Sequence, residues 1–533
     1  MFEINEKDQD TAMTDGKLKA PLYEALKEYR DRQDASFHVP GHKNGQAYQH
    51  LNKDVGAFTG MLEIDATEIT GTDDLHHPEG VIRDAQELAA KLFGAEETFF
   101  LVGGSTAGNV ALILSVCTAP GEIMLVQRNV HKSVIHGLML ANANAVFLEP
   151  QLDADSGLMT IPSEHTVREA LRRYPGAKGL LVTNPNYYGM GSSLAAIAEL
   201  CHASGIPLLV DEAHGAHYSL HPALPKGALE AGADGVVQST HKMLTAMTMG
   251  AMLHVQGDLL NVNVLRQRLA MIQSSSPSYP IMASLDLSRS MIQSQGANFF
   301  KAALGLAEQL KEGIGNLQRI QFLKTGASGE NNAYSIQDPF KVVLYDVIGD
   351  WSGYRLQEAL EAEGCVPEMS DDRYVVLALS PATSQSDIDR LLAALKLIDE
   401  FMKVSTWNIE KKTNINDEMQ KGLDTRVEAE IDLYQGDQTN AEAVSEMVPF
   451  DLRIVAAEDI ESIPVEETGG RQAAEMLIPY PPGIPLLYPG EIISDRTVVQ
   501  LISLKRAGAK CQGVADPTLA TIQVRKANAA IDG

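Results

Sequence analysis

The chain has little of what marks a membrane, secreted or nucleic-acid-binding protein. No uninterrupted apolar run is long enough to cross a bilayer. The four cysteines, Cys117, Cys201, Cys365 and Cys511, lie far apart, with neither metal-ligand spacing nor a disulfide framework. The opening residues are polar and acidic, unlike a signal or transit peptide. Positive charge is scarce: 43 Lys and Arg stand against 70 Asp and Glu, a net charge of -27. Such a field disfavours nucleic acid and anionic membrane as partners, but it does not repel a small cation. The expectation is a protein of the reducing cytoplasm.

What is present begins with size. A chain of 533 residues is too long for one hydrophobic core, so two or three domains are expected. Its 44% hydrophobic and 21% charged residues are ordinary for a globular protein. Two stretches organise the rest. Gly235-Val236-Val237-Gln238 is a β-prone run leading into Ser239-Thr240-His241-Lys242, and Ile206-Pro207-Leu208-Leu209-Val210 leads into Asp211-Glu212-Ala213-His214. Ligands of open α/β sheets collect at the carboxyl ends of strands, where both runs deliver reactive side chains. A lysine amine can form a Schiff base with an aldehyde cofactor, and a carboxylate can hold a pyridine nitrogen protonated. The bland alternative is a solvated surface lysine.

Taken in order, residues 1–18 read as a flexible tail and Pro21 to Arg32 as an amphipathic helix. His38 and His42 are four apart, but Pro40-Gly41 between them forbids the helix that would join them on one metal. The chain then reads as loop to Gly80, rich in Thr, Asp and His. Such a stretch is either solvated or functional. A helix from Ile82 to Phe93 and a strand from Glu97 to Val102 lead to Gly103-Gly104-Ser105-Thr106 and an apolar helix. That turn is neither a Walker loop nor a dinucleotide fingerprint. It is either an anion cradle of free backbone N–H groups or a plain helix cap.

Helix, strand and polar turn alternate through Lys242, which predicts an α/β fold with a mainly parallel sheet covered on both faces by helices. His214, His217 and His221 lack a zinc-binding pattern, so no metal is expected. The major domain is expected over 19–315, a smaller α/β domain over 316–404, a polar connection over 405–440 and a C-terminal α+β domain over 441–533. The run from Ile478 to Glu491 is apolar, Pro-rich and without flanking basic residues, which favours a rigid packed loop over a peptide ligand.

Together, Phe37-His38-Val39-Pro40-Gly41-His42-Lys43, Ser239-Thr240-His241-Lys242 and Pro479-Tyr480-Pro481-Pro482-Gly483 resemble motifs of the bacterial ornithine/lysine/arginine decarboxylases. These enzymes use pyridoxal phosphate on the aspartate-aminotransferase-like fold (fold type I). The resemblance covers nearly everything from Leu18 onward, and the N-terminal wing of the long, ring-forming members has no counterpart. It implies the short branch, arginine-decarboxylase-like, working as a homodimer or higher homo-oligomer.

The resemblance also implies roles for individual residues. Lys242 would carry the Schiff base. Ser239 and His241 would bind phosphate with Ser105 and Thr106, and Asp211 would pair with the pyridine nitrogen. His131 would stack on the ring, Ala213 would pack on its other face, and His214 would lie near its hydroxyl. The chemistry fits these roles: an acceptor-only carboxylate holds the pyridinium proton, and a dianionic phosphate needs convergent donors. His131 and Lys242 are both candidates to return a proton to Cα. The implied reaction is decarboxylation of arginine to agmatine, as in polyamine biosynthesis, with lysine or ornithine as alternatives. An aminotransferase or lyase, or a non-catalytic relative, stands further off. The distal cation of such a substrate needs an acid, and Asp73, Asp74 and Glu79, with Glu475 beside the Pro-rich run, are the candidates.

Overall fold

The computed structural model describes residues 19–48, 56–324, 333–410, 443–453, 455–480 and 483–526. The expected tail, most of the polar connection and Pro481-Pro482 therefore lie outside the described residues. An eight-stranded sheet forms the centre. In space its strands run Glu97–Leu101, Ala251–Val255, Gly235–Gln238, Leu208–Asp211, Ala177–Thr183, Ile123–Gln127, Asn144–Leu148 and Val444–Pro449.

Each neighbouring pair from Gly235–Gln238 across to Asn144–Leu148 is parallel. Ala251–Val255 runs against both its neighbours, and Val444–Pro449 runs against Asn144–Leu148. The sheet is thus mixed, with a parallel middle. The strand at Val444 comes from the segment expected to belong wholly to the C-terminal domain. Its irregular burial gave no apolar run to recognise, and its place depends on an edge supplied elsewhere.

Both faces of the parallel middle are covered, which is why its strands read as unbroken apolar runs. On one face lie the helices Gly104–Val116, Lys132–Ala141 and Val262–Ile272, through Leu112, Ile135, Leu138 and Leu265. On the other lie Glu164–Arg173 and Ala195–Ala203, through Val167, Ala170, Ile197 and Cys201. The helix Gly104–Val116 sits very close to the sheet at Gly108, where a Cβ would fall 2.8 Å from both Leu101 Cδ1 and Val237 Cγ1. That close seat fixes where the helix begins.

The smaller domain is a four-stranded antiparallel sheet, Met369–Ser370, Tyr374–Ala378, Lys341–Asp346 and Ile320–Phe322. Helices Asn298–Gly315, Gly353–Ala362 and Gln385–Glu410 share its core. The last of these continues past residue 405, so the start of the expected connection is helical. The C-terminal domain pairs Ile460–Pro464 with Thr521–Arg525 beside the helix Asp495–Ala507. The stretch 37–80 carries more structure than a loop reading allows, with a turn of 3-10 helix at Gln46–Tyr48 and a helix at Gly56–Leu62. No helix of the described residues is long and apolar enough to cross a membrane.

Candidate functional site

The parallel strands all end at one edge, and the residues that follow them converge there. Asp211 is the last residue of its strand and is 3% exposed. Its Oδ2 accepts from Asn109 Nδ2 at 2.8 Å and its Oδ1 from the Ala213 N–H at 3.1 Å. Asn109 also donates to Ser133 Oγ at 3.0 Å, and that hydroxyl is 2.9 Å from His131 Nδ1. One strand end and two helices are thereby tied into one polar group. His131 caps the helix Lys132–Ala141 by accepting from the Ser133 N–H. Burial, with Lys242 and Lys132 close by, pushes its imidazole down to about 4 against the pull of Asp211. His131 is therefore neutral at physiological pH.

Lys242 lies in the short helix Thr240–Met243, which Ser239 opens. Its Nζ is 3.0 Å from His214 Nε2 and 5.5 Å from the centroid of the Tyr187 ring. Burial lowers the pKa of this amine, while Asp211 and Glu368 pull it back up. His214 is 3% exposed and packs on Tyr187 at a centroid distance of 4.5 Å. Burial and the neighbouring lysines hold it well below the usual histidine range. His241 Nδ1 lies 3.1 Å from the Gly250 carbonyl.

The residues fit a polar aromatic cofactor bearing an aldehyde and a phosphate. Ser239 Oγ, Asn109 Oδ1 and Thr183 Oγ1 are buried without a hydrogen-bond partner, which a bound polar group would satisfy. The helix Gly104–Val116 starts without a side-chain cap, so its first N–H groups, beside Ser105 and Thr106, can receive an anion. Ala213, 7% exposed, is small enough to leave one face of a ring open for packing.

The Pro-rich run closes this site from the C-terminal domain. Gly483 has φ +90, and a Cβ there would lie 3.4 Å from His131 Cδ2 and Nε2. Its carbonyl accepts from the Lys132 N–H at 3.1 Å. The run is packed through Leu487 and Tyr488, which are almost wholly buried.

Two of the acids expected to meet a distal cation do other work. Asp73 Oδ1 accepts from the Asp74 and Glu79 N–H groups, and its Oδ2 from those of Gly80 and Ile82, so it caps the helix Val81–Phe93. Glu475 is buried in the C-terminal domain, accepting from the Ala515 N–H at 2.7 Å and the Gln523 N–H at 2.9 Å. Asp74 accepts from the His76 N–H, and Glu79 lies exposed 3.2 Å from His77. The three histidines His214, His217 and His221 also part: His217 pairs with Asp338 at 3.0 Å and His221 accepts from the Ala223 N–H. Among the described residues no group of three or more His, Cys, Asp or Glu side chains is placed to hold a metal ion.

Sequence reasoning assigned no role to Asn109, Tyr187, Lys341 or Glu368. Asn109 follows the Gly103–Thr106 turn by three residues and was open to notice. Lys341 and Glu368 come from the small domain, where no local pattern points to a site more than a hundred residues away.

Residues 20–330 match the model of the Orn/Lys/Arg decarboxylase major domain, and residues 437–515 match that of the C-terminal domain. The chain is 41% identical to the uncharacterized protein YaaO of Bacillus subtilis, over 93% of this chain and 96% of that one. It is 34% identical to an arginine decarboxylase of Bacillus subtilis, covering 96% of this chain and 99% of that protein. The constitutive lysine decarboxylase of Escherichia coli superposes with a TM-score of 0.73 at 21% identity, over 96% of this chain and 82% of that structure. The major domain, the smaller α/β domain and the C-terminal domain have the fold type I architecture.

Proposed function

Because this chain belongs to the Orn/Lys/Arg decarboxylase family, we propose that it decarboxylates L-arginine to agmatine, using pyridoxal phosphate held on Lys242. The observation that carries the reading is the convergence of Lys242, Asp211 and neutral His131 at one sheet edge. Arginine is favoured over lysine by the relatives: those named arginine decarboxylase are 33–34% identical, whereas those named lysine decarboxylase are 24–26% identical.

When bound, pyridoxal phosphate supplies a sink for the electron pair left at Cα as carbon dioxide departs. The chain supplies the rest. Asp211, oriented by Asn109 and the Ala213 N–H, holds a proton on the ring nitrogen. Ser239, His241, Ser105, Thr106 and the uncapped helix start receive the phosphate. His131 and Ala213 would face the two sides of the bound ring, and His214 would lie near its hydroxyl. For the distal cation, Asp74 and Glu79 remain, joined by Glu368, whose charge acts on Lys242, His241 and Lys341. A homodimer is part of this reading: Phe37, Val39 and Phe58 stand 95%, 64% and 55% exposed on the 37–80 stretch, as a segment covered by a second copy would.

The test is carbon dioxide release from arginine, lysine and ornithine, with oxo-acid consumption followed in parallel. Release from arginine in excess of the others is expected. Consumption of an oxo-acid without release would replace the reading with an aminotransferase. Sedimentation of a fully active monomer would refute the dimer.

A further inference from the structure

Lys341 opens a strand of the small domain, yet its side chain ends in the site. It is 3% exposed, and its Nζ lies 3.3 Å from His214 Nδ1. The other nitrogen of the same ring is 3.0 Å from Lys242 Nζ. Two amines thus flank one buried imidazole. The chain makes room for this: Gly189 has φ +79, and a Cβ there would fall 2.6 Å from Lys341 Cβ and 2.9 Å from its Cγ.

Hydrogen-bond polarity restricts what these groups can be. An ammonium only donates, and a neutral imidazole has one donor and one acceptor nitrogen. Two ammonium groups would require both ring nitrogens to accept, which neither neutral nor protonated imidazole can do. With Lys341 charged, Nδ1 accepts, Nε2 carries the hydrogen, and Lys242 must accept through its lone pair. Lys242 is then a free amine, the form that attacks an aldehyde.

An unpartnered carboxylate oxygen on the Lys341 side favours charge there. Asp338 lies wholly buried near it, with Oδ1 held by His217 and Oδ2 without a hydrogen-bond partner. Asp211, the acid nearest in effect to Lys242, is already committed to Asn109 and the Ala213 N–H. Glu368 acts on both lysines, and His131, His241 and Tyr187 complete the ring of titratable groups facing them. Burial lowers both amines and keeps His214 neutral.

We propose that Lys341 is a positioning residue that, through His214, keeps Lys242 as a free amine and takes up the proton Lys242 gives away. The transfer balances: the Lys242 ammonium gives a proton to Nε2 while Nδ1–H passes one to Lys341, leaving the ring neutral and the net charge unchanged. The proposal rests on the reading that Lys242 bears the cofactor.

The test uses the full-length chain freed of cofactor. Acetic anhydride labelling of Lys242 is followed by mass spectrometry across pH, in wild type and Lys341→Met. Without its donor, His214 can place a hydrogen on Nδ1 and accept from a Lys242 ammonium. The Lys242 profile should therefore move up by about one pH unit, a ~10-fold loss of labelling at neutral pH. A profile unchanged in the folded variant would overturn the proposal. Should the variant not fold, ¹⁵N spectra of histidine-labelled wild type decide alone. His214 should be the neutral Nε2–H tautomer between about pH 6 and 9, and an Nδ1–H tautomer or an imidazolium there would overturn the proposal. Neither measurement involves a substrate. Failure of the underlying reading shows separately, as a borohydride-reduced cofactor adduct mapping to a lysine other than Lys242.

Discussion

Arg128 docks the C-terminal domain onto the sheet edge, and removing it should loosen the site without touching the cofactor residues. Its guanidinium donates to the Pro485 carbonyl at 3.1 Å, the Leu486 carbonyl at 3.0 Å and Glu491 Oε1 at 2.8 Å. It lies 4.6 Å from the Tyr488 ring centroid and 5.5 Å from that of Phe147. The two charged side chains are only 18% and 19% exposed. Burial raises the Glu491 carboxyl, and Arg128 holds it back.

Breaking one side of a buried pair costs about 3–5 kcal/mol, because the remaining charge is left without compensation. Arg128→Met keeps most of the volume and should therefore weaken docking by about that amount. Glu491→Gln retains an acceptor and should cost about 1–3 kcal/mol. In the double variant the losses should fall short of their sum by about 0.5–3 kcal/mol, the coupling of the pair. Hydrogen exchange at the Leu477 and Leu487 amides, which bond across the Pro-rich run, reads docking directly. Because Gly483 rests on His131, cofactor affinity should fall in parallel. A cost below about 1 kcal/mol for Arg128→Met, or strict additivity, would mean that the Arg128–Glu491 pair does not hold the domain in place.

Lys242→Ala should abolish both the borohydride-reducible cofactor adduct and turnover, and a retained adduct would assign the cofactor to another lysine. Asp211→Asn should still bind cofactor but lose most of its rate, since an amide cannot hold the ring proton electrostatically. Near-normal turnover would move that role elsewhere. Glu212, 1% exposed between the Ala228 N–H and Gln238 Nε2, is pushed by burial from 4.5 up to about 8. The folded state then keeps a proton that the unfolded chain has lost. Stability should fall as pH rises from about 4.5 to 8, at up to ~1.4 kcal/mol per unit. Urea midpoints across that range should flatten in Glu212→Gln, and an identical slope in the variant would exclude Glu212 as its source.

The sequence by itself determined the strand ends. Leu208 to Asp211 and Gly235 to Gln238 are local apolar runs closed by polar residues, and a parallel sheet puts such closures at one edge whatever else the chain does. For the same reason Asp211 and Lys242 could be set at that edge before any coordinate, whereas their roles, and that of His131, came only with the family resemblance. The helix Pro21–Arg32 was legible too, because its apolar spacing and N-terminal proline are local.

Tertiary structure decided what each acid does and what surrounds the lysine. Asp73 and Glu475 looked like free carboxylates, yet a carboxylate's role is set by the N–H groups that folding brings to it. For these two they are the start of a helix and the backbone of the C-terminal domain. Val444–Pro449 became a strand of the major sheet because Asn144–Leu148 offered an open edge. Lys341 stands 127 residues from His214, and contacts between domains leave no periodic trace in either segment. Its place beside the imidazole follows from the packing of the small domain on the large one.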